Sequence, residues 1–283
     1  MKKIVLFAAA LVACSATFAQ TGEITSNRGE NWLSQDGDWG LTFDANPLLN
    51  YAGNLFNGAA GNNIGGGLTW ANSNFAIQGK KLVDANTAYR GKVRIGFGST
   101  KNTTLVNDVT STDTPQAQVE DTQKNGFFAL NLGVGLEKRV GSTRVVGVYG
   151  AMFNVGLTSS KSKYEYGNAL SATNQGHTNS FGQGNGVTEA KNGSTFGLGL
   201  SAFAGIEWFC APKISLSGEY GWGFMLATTG FGETTTESWD ATAANGAGAT
   251  TTTTVEGPTG KQSAFSLDTS VSGATVGINF YFQ

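Results

Sequence analysis

Residues 196–226 read FGLGLSAFAGIEWFCAPKISLSGEYGWGFML, and their alternation decides the fold. From Phe196 every second residue is apolar: Phe196, Leu198, Leu200, Ala202, Ala204, Ile206 and Trp208. Between them stand Gly197, Gly199, Ser201, Phe203, Gly205, Glu207 and Phe209. In a chain that is 40% hydrophobic, seven apolar residues in seven alternate places arise by chance roughly twice in a thousand trials. After Cys210, Ala211, Pro212 and Lys213 the pattern restarts. Ile214, Leu216, Tyr220, Trp222, Phe224 and Leu226 share one side, with Gly218 as the gap; Ser215, Ser217, Glu219, Gly221 and Gly223 share the other. A period of two sends successive side chains to opposite faces of a strand. The stretch is a hairpin with one oily face and one polar, glycine-rich face.

Other segments behave alike. Phe128, Leu130, Leu132, Val134 and Leu136 alternate with Asn131, Gly133, Gly135 and Glu137. A tight turn at residues 140–143 leads to Val145, Tyr149, Ala151, Phe153, Val155 and Leu157. Upstream, Tyr89, Val93, Ile95 and Phe97 alternate with Arg90, Lys92, Arg94 and Gly96, preceded by a weaker strand at 74–82. Trp39, Leu41 and Phe43 form a first strand, and Val276, Ile278, Phe280 and Phe282 a last. Eight strands are expected. The links near 83–88, 140–143 and 210–213 are short, whereas those near 46–72, 104–124, 167–193 and 231–262 run to about 20–30 residues.

Composition agrees. The chain has 283 residues, room for one or two ordinary domains. Only 13% are charged, about half the usual ~25%, which argues against charged helices and charged disordered tails. A net charge of −2 supplies no electrostatic footprint for nucleic acid. At the N-terminus, Lys2 and Lys3 precede an apolar stretch over residues 4–13, followed by Ala16, Thr17, Phe18 and Ala19. A positive start, a short apolar core and small residues before a cut describe a secretory signal peptide, here residues 1–19. Leu11, Val12, Ala13 and Cys14 resemble a lipobox, so cleavage before a lipidated Cys14 is the competing reading. Cys210 is then left without an internal disulfide partner.

The signal segment, the eight alternating strands, the rhythm of short and long links and the aromatic closing strand together resemble the small outer-membrane β-barrels of the OmpA/OmpX type, among the porin-like proteins of Gram-negative bacteria. The resemblance covers residues 38–283. It implies an all-β fold, a closed antiparallel transmembrane β-barrel of eight strands with short periplasmic turns and four long extracellular loops. Residues 20–37 become a periplasmic N-terminal segment, and the protein is expected in the outer membrane after export. The implied partners are outer-membrane lipid and lipopolysaccharide, the barrel-assembly machinery through the C-terminal strand, and partner proteins through the loops. Phe282 is penultimate and Gln283 last, a small departure from the terminal signal of such barrels. No peptidoglycan-binding domain is expected, so the anchoring role of two-domain relatives is not carried over.

A soluble sandwich or lipocalin-like barrel would turn the oily face inward. The scarcity of charge, and its place opposite the Leu/Val/Trp stripe, point the other way. With the oily face outward, Lys80, Arg90, Lys92, Arg94, Glu137, Arg139, Arg144, Glu207 and Glu219 face the interior, together with Asp38, Asp44 and Asp268. Side chains just fill an eight-stranded barrel. Balanced charges there predict a paired network that plugs the lumen, with Glu219 facing Arg94 or Lys92, and with Val146, Val148, Met152 and Phe203 adding packing. The first functional reading is a non-enzymatic barrel with a structural or surface-interaction role. The second is a narrow channel for small solutes, because intramembrane charges are functional candidates. The third is a lipid-modifying enzyme using His177, the one histidine, near Ser180; a lone loop histidine among Asn and Gly is expected to be solvated. No catalytic residue, cofactor or metal site is assigned. No Cys/His or His/His spacing suggests a metal, and the glycine-rich stretches 58–67, 179–185 and 245–254 lack a phosphate-loop context.

The intact mass of the exported protein is expected to match a chain beginning at Gln20. A diacylglyceryl-modified Cys14 at the N-terminus would make it a lipoprotein instead.

Overall fold

The structure is a computed structural model that describes residues 24–44, 77–141, 143–257, 260–268 and 274–283. The expected signal peptide with Cys14, the glycine-rich stretch 58–67, the start of the strand expected at 74–82, and the side chains of Asp44 and Asp268 lie outside the described residues.

The fold is all-β, with 68% of the described residues in strands and 1% in helix. The described residues form twelve strands: β1 (Trp39–Asp44), β2 (Ile77–Asp84), β3 (Thr87–Asn107), β4 (Gln118–Val140), β5 (Val145–Glu165), β6 (Val187–Lys191), β7 (Thr195–Ala211), β8 (Ile214–Thr229), β9 (Glu233–Asp240), β10 (Ala249–Glu256), β11 (Gln262–Asp268) and β12 (Ala274–Phe282). All pairings are antiparallel. β1, β2, β3, β4, β5, β7, β8 and β12 form a ring in which each strand bonds to the next and β12 bonds back to β1. Following paired residues around it, the row Ser215, Asn279, Thr42, Gln78, Lys92, Gly133, Asn154, Gly199 returns to β8 at Met225, ten residues from its start. Ten residues at about 3.3 Å, against eight strands about 4.8 Å apart, tilt the strands by about 40° to the ring axis.

The sequence predicts eight strands and the described residues form twelve. The other four prolong the sheet past the ring on the side of the long links. β6 pairs with β5 and β9, β10 pairs with β9, and β11 pairs with the far half of β8. The links shrink accordingly: residues 108–117 alone separate β3 from β4, and the threonine run at 250–254 lies in β10. Alternation misses these parts for a physical reason. Along the far half of β3 and the whole of β10 both faces of the sheet meet solvent, so Lys, Thr and Asn serve equally on either side.

Within the ring the two faces separate cleanly. Tyr89, Val134, Leu200, Ile206, Trp208, Leu216 and Phe280 are exposed on the outside, while Lys80, Arg90, Glu137, Arg139, Glu207, Ser215 and Asn279 are buried inside. Val146, Val148, Met152 and Phe203, expected inside, are buried. The apolar core is small and sits at the short-turn end. It consists of Leu82, Ala88, Val146, Val148, Phe209 and Tyr281, with the last two rings 5.7 Å apart. The N-terminal segment, from residue 24 on, packs against this end: Trp32 and Leu33 touch the apolar cluster, and the Trp32 carbonyl accepts the Lys213 N–H at 3.1 Å.

Ala211 pairs with Ile214, which leaves Pro212 and Lys213 as a two-residue turn. Proline presets the first central position, and Lys213 takes the left-handed φ of 59° where Gly or Asn is usual. Its neighbours hold it there. Lys213 Nζ is ion-paired with the fully buried Asp38, and its carbonyl accepts the Tyr281 N–H at 2.8 Å. One residue thus ties the β7–β8 turn to the N-terminal segment and to β12.

Phe209→Ala should lower the unfolding free energy by about 3–5 kcal/mol, read as a shift in the urea midpoint at constant m-value. Lys213→Gly relieves the left-handed backbone yet strands Asp38, so it should lower the midpoint rather than raise it.

Candidate functional site

Six charged side chains meet inside the ring, just beyond the apolar cluster. Lys80 comes from β2, Arg90 from β3, Glu137 and Arg139 from β4, Glu207 from β7 and Glu219 from β8. Lys80 Nζ lies 3.1 Å from Glu137 and 3.8 Å from Glu207. Arg139 spans the same two carboxylates at 2.7 and 2.9 Å, and Arg90 reaches Glu137 at 3.4 Å and Glu219 at 2.8 Å. Glu219 is 13% exposed, and none of the other five side chains exceeds 2%. Three cations face three carboxylates. Burial makes the matching compulsory, because an unpaired buried charge costs several kcal/mol.

Neutral groups complete the layer. The Tyr281 hydroxyl donates to Glu207 at 2.6 Å and accepts from Arg139 at 3.1 Å. The Ser215 hydroxyl also donates to Glu207. The Asn279 amide donates to Ser215 at 3.0 Å, and the Thr42 hydroxyl to Asn279 at 2.6 Å. The network therefore runs across the seam where β12 meets β1. Above it, the Arg90 guanidinium stacks on Phe203 at 4.1 Å. Only glycine fits at position 150, since a Cβ there would lie 1.9 Å from the Leu136 carbonyl and 2.8 Å from the Phe203 ring.

Of the nine residues assigned to an interior network by the sequence, the structure brings six together. Lys92 and Arg94 follow Arg90 along the inward side of β3 and are half-buried. Arg144 is a correction. It precedes β5 at the short-turn end, where the interior stops, and it is exposed with its guanidinium 4.7 Å over the Trp32 ring. Glu219 pairs with Arg90, a partner the sequence passes over for Arg94 or Lys92. β3 and β8 are not neighbours, and their relative height depends on the stagger accumulated around the ring. The sequence does not single out Tyr281, Ser215, Asn279 or Thr42 as network members. Parity was the available signal, since Tyr281 stands between the outward Phe280 and Phe282.

A second polar cluster lies beyond the ring, where residues 166–186 fold back onto β4. Asp121, fully buried, accepts from the Gly167 N–H at 2.9 Å, from the Ser180 hydroxyl at 2.6 Å and from the Thr178 hydroxyl. The Asn168 amide donates to the Asn107 carbonyl at 2.9 Å, and its oxygen accepts the Val109 N–H at 3.0 Å. Tyr166 donates to the Val187 carbonyl, and burial raises its hydroxyl above the usual phenol range. Its ring stacks on His177 at 4.0 Å. His177 is therefore not the solvated loop residue its neighbours suggest: its side chain is 6% exposed, with Nε2 3.7 Å from Glu237. Ser180, close to it in sequence, gives its hydroxyl to Asp121.

Among the described residues no group of three or more His, Cys, Asp or Glu is arranged to hold a metal ion. No family model matches the chain, and no curated protein or solved structure matches it.

Glu207→Gln leaves Lys80 and Arg139 with one carboxylate fewer, so it should cost about 3–5 kcal/mol of folding stability. Lys80→Met combined with Glu207→Gln restores the balance of charge and should recover much of that loss. Urea titrations of wild type, Glu207→Gln, Lys80→Met and the double variant complete the cycle, and its non-additive part is the coupling energy.

Proposed function

We propose that this chain is a non-enzymatic integral outer-membrane β-barrel with a structural or surface-interaction role, its lumen closed by the cluster of Lys80, Arg90, Glu137, Arg139, Glu207 and Glu219. The polarity of the ring carries this reading. On the outer face apolar residues alternate over residues 89–97 of β3, 128–136 of β4, 145–157 of β5, 196–208 of β7 and 216–226 of β8. Spans of nine to thirteen residues, with eight to twelve rises of about 3.3 Å each, tilted by about 40°, make a band about 20–30 Å tall, close to the hydrocarbon thickness of a bilayer. A soluble monomer seldom exposes an apolar patch beyond about 300–600 Å².

Ring closure supports the same reading, because in lipid every backbone donor and acceptor must be satisfied within the protein. Charges that would be costly against lipid lie inside and paired. Trp39, Tyr89, Trp208, Phe280 and Phe282 are exposed at the short-turn end, where amphipathic rings suit a membrane–water interface. On this reading residues 1–19 direct export, the outward aromatics of β12 address the chain to the barrel-assembly machinery, and the long-link side presents its loops to partner proteins outside the cell. A narrow channel would have to pass two filled layers, the Phe209–Tyr281–Trp32 packing and the charge cluster above it. A lipid-modifying role for His177 would need its imidazole freed from beneath Tyr166.

In detergent gels, folded protein is expected to migrate differently from boiled protein, and in planar bilayers it should be electrically silent. Discrete, reproducible conductance would favour the channel. Leu200→Arg places a charge midway up the outer band and should cost about 2–4 kcal/mol on folding into bilayers, whereas Ser201→Ala, the next residue and inward, should fold. Ready unfolding in detergent at room temperature, without boiling, would overturn the reading.

A further inference from the structure

We propose that the outer face of β3, β4, β5 and β6, where the apolar band ends, is a binding site for the phosphate groups of a lipid headgroup. The inference rests on the membrane reading above and names a lipid partner and its place. Lys101, Lys124, Lys161, Lys163 and Lys191 are all exposed there. Their register is unusual. Lys101 stands directly opposite Lys124, Lys124 opposite Lys163, and Lys161 opposite Lys191 on neighbouring strands. Like charges facing each other across a sheet are unfavourable, so the sheet gains nothing from this arrangement unless an anion joins it. Carboxylates answer only part of the charge. Glu233 lies 2.8 Å from Lys191, and Glu189 lies 3.6 Å from Lys163 and 3.7 Å from Lys191. Among the described residues Lys101, Lys124 and Lys161 have no carboxylate at ion-pair distance.

The height fits a headgroup. Lys101 is four residues beyond Phe97, Lys124 four residues from Phe128, and Lys161 four beyond Leu157, the three residues at which the band stops. Four residues rise about 13 Å along a strand and about 10 Å along the ring axis. The polar layer of a bilayer adds roughly 5–8 Å on each side of the hydrocarbon, and a lysine stem bends back toward it readily. The ammonium groups come to the level of lipid phosphates. At the short-turn end the lysines are engaged differently: Lys81 lies over Trp39 and donates to the Gly37 carbonyl, Lys138 donates to Thr87, and Lys213 holds Asp38.

The lysines also enclose a space. A cleft of about 630 Å³ is lined by Lys124, Lys161, Lys163 and Lys191, with Gly126 and Phe128 among its other walls. Gly126 keeps it open. A Cβ there would meet only the Gly98 carbonyl at 3.7 Å and Lys161 at 4.0 Å, so a larger side chain would occupy the cleft without straining the strand. Ammonium groups beside an aromatic ring, at the margin of an apolar band, suit a molecule with phosphate above and acyl chain below. A free phosphate would leave the apolar half of the site unused.

The test uses the full chain, folded in detergent micelles, with native mass spectrometry counting bound molecules. The probes are diphosphorylated lipid A, phosphatidylcholine and inorganic phosphate. Wild-type protein should retain one lipid A per chain and little phosphatidylcholine at equal concentration. Retention should fall at least tenfold in Lys124→Ser/Lys161→Ser/Lys191→Ser. It should fall similarly in Gly126→Leu, which fills the cleft and leaves every charge in place. Lys81→Ser, at the other end, should match wild type. Equal retention by wild type and both cleft variants, or equal retention of phosphatidylcholine, would overturn the proposal. Displacement of lipid A by inorganic phosphate would make the cleft a site for soluble anions and would overturn it too. Heat-modifiable migration of each protein keeps the two readings apart. A wild-type chain with no folded band sinks the membrane assignment and this site with it, whereas a folded chain indifferent to lipid A sinks the site alone.

Discussion

Three cations and three carboxylates sit almost wholly out of reach of water, and the ring is built around the need to keep them matched. Glu137 takes Lys80, Arg90 and Arg139; Glu207 takes Lys80 and Arg139 together with the hydroxyls of Tyr281 and Ser215. Removing these groups from water is costly, and their mutual attraction offsets that cost only when the geometry is good and the remaining valences are satisfied. Good geometry here requires five strands held at one relative height. Because side chains alternate, a slip of one residue in any of them would expel its charge to the outer face. The cluster therefore disfavours every one-residue slip of the strands that carry it.

The outer face follows from the inner one. A strand that commits one side to Lys, Glu, Ser and Gly has only the other side for its Leu, Val, Phe and Trp, and these are the residues exposed around the ring. Eight strands and their stagger fix a narrow interior, and many inward positions are glycine or serine, which leaves room for Phe203 and the arginine stems to fill the layer above the charges. Larger inward side chains would demand either a wider ring or fewer ions. Composition therefore reflects architecture directly: the low overall charge and the abundance of glycine belong to the same constraint.

Much of this was legible along the chain. The alternation over 196–226 becomes β7 and β8 with Leu200 and Leu216 outside and Glu207 and Glu219 inside, because period two is enforced by the pleat wherever the faces differ in polarity. The same rule fails where the faces do not differ, and so the far half of β3 and the whole of β10 read as loop; on the far end of β4 the buried face is polar, led by Asp121, and gives no apolar alternation. The interior network was legible as a set of residues and not as a set of pairs. Parity places Arg90 and Glu219 inside, but their contact depends on a stagger distributed over many strand pairings. Arg144 has the right parity and the wrong height. The burial of His177 is illegible for a different reason: it is produced by stacking on Tyr166 within a loop that distant Asp121 anchors, and composition encodes neither contact.

The stagger of ten residues has a further meaning. It is a property of the closed circuit, owned by no single seam, so a one-residue slip between two strands must be matched by another elsewhere to keep the total even. An odd total would set inward residues of one strand beside outward residues of its neighbour. The admissible circuits are therefore discrete and separated by two-residue steps, and no gradual path connects them. The two register shifts within the ring pairings fall between Leu82 and Asp84 and between Phe209 and Ala211, both beside hairpin turns at the short-turn end. There an extra residue disturbs only the end of a pairing. Insertions elsewhere in the ring would act as a change of integer, while the sheet beyond it can grow or shrink one residue at a time.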